Sequence, residues 1–217
     1  PRLRLVSQQD SGVADALNRA FRCARGTVIG WLNADDRYLP GAPARALAAL
    51  ERHPHWLMVY GEGEHIDAEG RLVDAYPTLP ASAGLAGFRN HCFICQPTVF
   101  WRRTLSILLG PFDTSLQTAF DFDYWLRAFA GVPARIGHIN SLQAQTRRHG
   151  ATISETLLPR AVLEATLLQS RRFEGMRPHL LQQYLEAIST GSETLPAGST
   201  PASHGRDLLA LASQLPD

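Results

Sequence analysis

The feature that most constrains the fold is a short uncharged run, TVIGWL at residues 27–32, which is followed by Asn33, Ala34 and two adjacent acids, Asp35 and Asp36. Such a run, set off by a glycine before it and a polar turn after it, reads as a strand buried on both faces, the kind that parallel sheets use. The segments around it alternate. Leu3, Leu5 and Val6 read as a strand, and Val13, Leu17, Phe21 and Ala24 recur at helical spacing, with Asp10 or Ser11 placed to cap that helix and Gly26 to stop it. Residues 40–52 read as a second helix with Pro40 and Pro43 confined to its first turn, and residues 56–60 as the next strand. Strand and helix in alternation imply an α/β sheet with crossover helices, and in such sheets ligands gather at the carboxyl ends of the strands. Asp35 and Asp36 fall at such an end. Their oxygens suit a hard divalent cation, Mg²⁺ or Mn²⁺, although a polar turn leading into the next helix would carry the same two residues.

Composition narrows the function. A chain of 217 residues with 45% hydrophobic content can bury one sizeable core. The net charge of +1 and the scattered arginines argue against nucleic acid as a partner. No apolar run approaches the ~20 residues of a transmembrane helix. Three cysteines do not make a disulfide framework, and the expected compartment is the cytoplasm, up to the inner membrane surface. Cys92 and Cys95 form a C-x-x-C, but with Phe93 and Ile94 between them and no second pair they read as buried thiols.

Further along, residues 64–76 read as a hairpin turning at Ala68, Glu69 and Gly70, and residues 77–90 as loop. Pro97 confines the β-rich segment CFICQPTVFWRR to an edge or bulge. Helices are expected over 104–109 and 120–130, the second with Asp121 and Asp123 in its first turn, and a last strand over 135–139. TRRHGATIS is a polar connection, residues 155–188 are mostly helical, residues 189–205 form a linker or disordered tail, and 206–214 suit one more short helix.

Two stretches, DSGVADALNRAFRCARGTVIGWLNADDRYLPGA and, in the same order further on, CQPTVFWRRTLSILLGPFD with FDFDYWLR, resemble the family-2 glycosyltransferases of the GT-A fold. The resemblance covers roughly residues 3 to 154. It implies a mixed, mostly parallel α/β sheet flanked by helices over residues 1–154, to which the residues themselves add a helical C-terminal extension over 155–188 and a linker or tail over 189–217 that suits one short helix. It also implies inverting transfer of a sugar from a nucleotide-sugar donor to a saccharide or lipid-linked acceptor, with a divalent cation. By the same resemblance Asp36 holds the cation, Asp35 lies near the donor ribose or sugar, and Asp10, Asp15 and Asn18 meet the donor. Asp121 is the general base with Asp123 as its fallback, and His149 reaches back to the metal or diphosphate, with Arg147 and Arg148 beside it suited to phosphate.

The family opens with a strand, a helix and a second strand that hold the donor's base and ribose, and nothing ahead of Pro1 supplies them. The chain is therefore expected to be N-terminally truncated relative to the family. Two readings stay open: part of an active enzyme, or a non-catalytic or degenerate GT-A-like binding module unable to bind the donor fully. A nucleotidyltransferase would want a Gly-rich phosphate loop after the first strand, and none is visible.

Overall fold

A computed structural model describes residues 3–149, 152, 156–174, 179–189 and 200–212. The first helix, α1 (Val13–Cys23), is followed by β1 (Val28–Gly30), β2 (Arg37–Tyr38), α2 (Ala42–Arg52), β3 (Met58–Ile66) and β4 (Leu72–Ala75). After a loop with three short 3₁₀ turns come β5 (Phe100–Arg102), α3 (Arg103–Leu109), α4 (Phe120–Gly131) and β6 (Ile136–Arg147). The helices α5 (Leu158–Arg172), α6 (His179–Ser189) and α7 (Pro201–Ala212) follow.

The strands form one mixed sheet in the order β1-β5-β3-β6-β2, with β4 paired to β3 as a hairpin. The expectation of a mostly parallel sheet needs correction. Among the described residues only β3 and β6 pair in parallel, because β5 inserts antiparallel between β1 and β3, which themselves run the same way. Leu3, Leu5 and Val6 are not a strand either. Residues 3–10 pair with nothing in the sheet, and Leu3 and Leu5 are 83% and 89% exposed. An extended segment without a ladder partner gains nothing from its β propensity.

Successive residues of β3 face opposite layers, as strand geometry requires. Met58 and Tyr60 join the larger core with Ile29, Trp101, Phe88, Phe93 and the aromatic face of α4, whereas Val59 joins Phe100, Ala46, Ala49 and Leu50 beneath α2. Gly30 is required where α2's layer meets β1, since a Cβ there would lie 2.7 Å from the Phe100 ring. The strand expected over 135–139 runs on to Arg147, so the first two residues of the anticipated polar connection, Thr146 and Arg147, are sheet.

The core also crosses the boundary expected at residue 154. Leu168 and Phe173 of the α5 region pack into the larger cluster. Glu164, fully buried, accepts hydrogen bonds from the main-chain N–H groups of Gln117, Thr118 and Ala119, from Thr118 Oγ1 and from Arg160 Nε. The donors at residues 117–119 lie immediately ahead of α4, so α5 anchors the start of that helix. Leu163, Tyr184 and Leu208 make a separate small cluster among α5, α6 and α7, with Tyr184 Oη 2.9 Å from His204 Nε2. α7 begins five residues before the helix expected at 206; most of the expected linker, residues 190–199, lies outside the described residues.

Candidate active site

β1 ends at Gly30, and the chain turns through Trp31–Asp36 to β2, which pairs with β6. That turn is built by side chains. Trp31 Nε1 donates to Asn33 Oδ1 at 2.8 Å, Asn33 Nδ2 donates to Asp36 Oδ2 at 3.0 Å and to Gln96 Oε1 at 3.1 Å, and Gln96 Nε2 donates to the Trp31 carbonyl at 2.8 Å.

The two acids differ sharply in setting. Asp36 is buried, and its second oxygen, Oδ1, accepts the Arg147 main-chain N–H at 2.9 Å. Burial raises its pKa, against the hydrogen bonds from Arg147, Thr146 and Asn33 that favour the ionised form. Asp35 is 39% exposed, and His149 Nε2 stands 3.2 Å from its Oδ2. The side chain expected to hold a cation, Asp36, is thus committed to the framework, and the one expected nearer the sugar, Asp35, shares an open rim with His149. Together they offer one oxygen and one imidazole nitrogen. Among the described residues no three His, Cys, Asp or Glu side chains gather into a cage. Two protein donors on an open rim fit a cation such as Mg²⁺ or Mn²⁺ that draws its other ligands from phosphate and water.

Across the turn, Trp31 stacks on Phe120 (centroids 5.8 Å apart, 26° between planes), and Phe120 is the residue before Asp121. Asp121 Oδ1 accepts the Phe122 N–H at 2.7 Å, and packing around the carboxyl pushes its pKa up to about 6. The buried Cys95 thiol is pushed well above its ordinary value by burial first, then by the charges of Asp36, Cys92 and Asp121, so it lies within the field of both acids. Cys92 is likewise raised to about 12, chiefly by burial, and all three cysteines are free, as the sequence indicates. Asp123, the fallback base, points the other way around the helix. Its Oδ2 receives Arg127 Nε at 2.8 Å, and Arg127 also bonds the Leu109 and Pro111 carbonyls.

The three donor-side residues are occupied locally. Asp10 Oδ1 accepts the Gly12 N–H, and Asp15 takes Ser11 and Arg19, which hold its carboxyl below the usual range. Asn18 brackets the Phe112 peptide, giving Nδ2–H to its carbonyl at 2.9 Å and taking its N–H at 2.8 Å. It joins α1 to the GPFD turn, and its amide is spent there. Of the two arginines expected to suit phosphate, Arg147 is taken up by main-chain carbonyls, whereas Arg148 is half exposed and reaches Asp74 at 3.4 Å. Gln96 and Asn33 were not singled out by sequence reasoning, although both lie inside the segments that carry the resemblance.

Known proteins resemble this chain in sequence and in fold. Residues 1–106 match Glycosyl transferase family 2. The chain is 29% identical over 157 residues to a chondroitin synthase of Escherichia coli, covering 71% of this chain and 22% of that protein. It is 28% identical over 171 residues to a PGL/p-HBAD biosynthesis glycosyltransferase of Mycobacterium bovis, covering 78% and 64%. The chain thus spans less than two thirds of the length of either relative. Among solved structures, S. aureus TarS 1-349 superposes with a TM-score of 0.58 at 14% identity over 97% of this chain and 63% of that one. The same protein in complex with UDP-GlcNAc gives 0.57. At that identity the likeness speaks for the fold.

Proposed function

Starting from a chain whose residues 1–106 match Glycosyl transferase family 2, we propose that it transfers a sugar from a nucleoside-diphosphate donor to an acceptor hydroxyl with inversion at the anomeric carbon. The observation that carries this reading is the pairing of an open Asp35–His149 rim with a carboxyl, Asp121, tuned to about 6 on the neighbouring helix.

Asp35 and His149 would hold a divalent cation. When bound, the cation offsets the charge that gathers on the diphosphate as it leaves. Asp36 keeps the turn in register from beneath, through the Arg147 N–H and Asn33. Asp121 takes the proton of the acceptor hydroxyl on its Oδ2, since Oδ1 is engaged by Phe122. A pKa near 6 leaves it ionised at pH 7 while still basic enough to accept a proton, and the freed oxygen attacks the anomeric carbon opposite the departing diphosphate.

The relatives' names support a saccharide or lipid-linked acceptor and polysaccharide or glycoconjugate synthesis as the setting. No helix among the described residues is long and apolar enough to cross a membrane, and we place the work in the cytoplasm, up to the inner membrane surface. The internal commitments of Asp15 and Asn18 favour the rival reading, a non-catalytic or degenerate GT-A-like module unable to bind the donor fully. The test is UDP binding with and without Mn²⁺, followed by a panel of nucleotide sugars scored for release of the nucleoside diphosphate. Mn²⁺-dependent binding with acceptor-stimulated release supports transfer; weak donor binding without release under any acceptor supports the module.

A further inference from the structure

We propose that Arg147 is a positioning residue that sets Asp35 against His149 by clamping the acid turn to the β3–β4 hairpin. The proposal rests on the reading of Asp35 and His149 as the cation-holding pair. A cation next to two aspartates would ordinarily be taken for an ion-pair partner or a phosphate binder. The geometry is different. Arg147 Nε donates to the main-chain carbonyl of Asp35 at 3.0 Å, and Nη1 donates to the carbonyls of Asp67 at 2.7 Å and Ala68 at 2.8 Å. One planar guanidinium therefore ties the peptide of Asp35 to the hairpin turn.

Arg37, directly after the acids, grips the same turn a second time. Its Nη2 donates to the Gly70 carbonyl at 3.2 Å and its Nε to Gln145 Oε1 at 2.6 Å. The turn is shaped to present these carbonyls. Gly70 sits at φ 85°, and the Asp67 carboxylate is drawn aside by Arg71 N and Nε. Arg148 N–H closes the arrangement on the Ile66 carbonyl at 2.8 Å, and His149 follows one residue later. Three segments distant in sequence, 35–37, 67–70 and 145–149, thus meet through main-chain carbonyls. Fixing the Asp35 peptide fixes the direction of its side chain, which a charge alone could not do.

The fork geometry gives the test. Lysine keeps the charge but is a point donor that cannot span carbonyls on two separate segments. The main-chain bond from residue 147 to Asp36 survives any side chain, so the fold is retained. The measurements use the full chain carrying Arg147→Lys or Arg147→Met. Hydrogen exchange is followed by mass spectrometry at residues 33–39 and 64–72, and UDP affinity is measured with and without Mn²⁺. In both variants exchange at these two segments should quicken about tenfold or more, with α4 unchanged. Mn²⁺-dependent UDP affinity should fall by the roughly 10–100-fold typical of lost support to a metal ligand, and metal-free affinity should hold. Unchanged exchange overturns the clamp, as does Mn²⁺-dependent affinity that survives loosened exchange. If Arg147→Lys behaves as wild type and only Arg147→Met weakens binding, the residue acts by charge on phosphate and the proposal is wrong. Asp35→Asn separates the two readings: if Mn²⁺-dependent binding is absent in wild type, or persists in Asp35→Asn, the cation reading itself fails and takes the clamp's catalytic meaning with it.

Discussion

His149 Nε2 lies 3.2 Å from Asp35 Oδ2, although 114 residues separate the two in the chain. Sheet pairing brings them together. β6 runs parallel to β3 through Arg147, while β2 lies antiparallel to β6 with Arg37 opposite Gln145. The end of β6 is therefore delivered to the turn that carries the acids.

Exchanging the two acids for alanine one at a time should separate their roles. Asp36→Ala removes a buried acceptor from the Arg147 N–H and Asn33, and should cost ~1–3 kcal/mol in denaturant unfolding. Asp35→Ala should leave stability within about 0.5 kcal/mol of wild type, as for other exposed changes, yet abolish Mn²⁺-dependent UDP binding. The reverse pattern would return the cation to Asp36.

Asp121→Asn should leave donor affinity intact and reduce transfer by the roughly 10²–10⁴-fold of a lost general base. The wild-type rate should fall on the acid side with an apparent pKa near 6, and the residual rate of the variant should lose that limb. Transfer near the normal rate would remove Asp121 from the reaction.

The same carboxyl makes a stability prediction. Its folded pKa, about 6, is raised above 3.8, so between these values the native state binds more protons than the unfolded one. The stability contributed by this group is full below about pH 3.8 and is lost as pH rises through 6, up to ~3 kcal/mol by pH 7. Asp121→Asn should therefore be more stable than wild type at pH 7, and the advantage should disappear by pH 4 in urea titrations.

Asn18→Ala should destabilise by ~2–4 kcal/mol, because both the N–H and the carbonyl of the buried Phe112 peptide lose their partner. UDP affinity of the folded variant should not change. A loss of affinity in a variant of normal stability would restore Asn18 to the donor site.

Glu164→Gln keeps the volume but turns an amide toward four hydrogen bonds given by residues 117–119, and should cost ~2–4 kcal/mol. Chevron or equilibrium unfolding would measure it. A neutral result would mean that α5 is not what anchors the start of α4.

Much of the site could be read along the chain, since strand, turn and helix are local patterns. The uncharged run before Asp35, the hairpin at Gly70 and the acids opening α4 all lie where periodicity and turn chemistry put them. The short β2 escaped notice because two residues carry no period, and the strand expected at Leu3 failed because a ladder needs a partner. The length of β6 was hidden by its polar end, where the Gln145 side chain answers to Arg37 and Glu64 and the Arg147 N–H to Asp36 rather than to an apolar core.

By itself the sequence determined that a short strand precedes two carboxylates, although that strand spans Val28–Gly30 rather than residues 27–32 and is buried only at Ile29, that a second acidic site opens a later helix, and that strand and helix alternate around them. Each is a statement about neighbours in the chain, and hydrophobic period and turn geometry are properties of neighbours. Which carboxylate is spent and which is open was decided only in three dimensions. The Arg147 N–H that engages Asp36 comes from 111 residues away, and the imidazole facing Asp35 from 114. A carboxylate's role follows from its hydrogen-bond donors and its burial, and for these two acids both are supplied by distant strands.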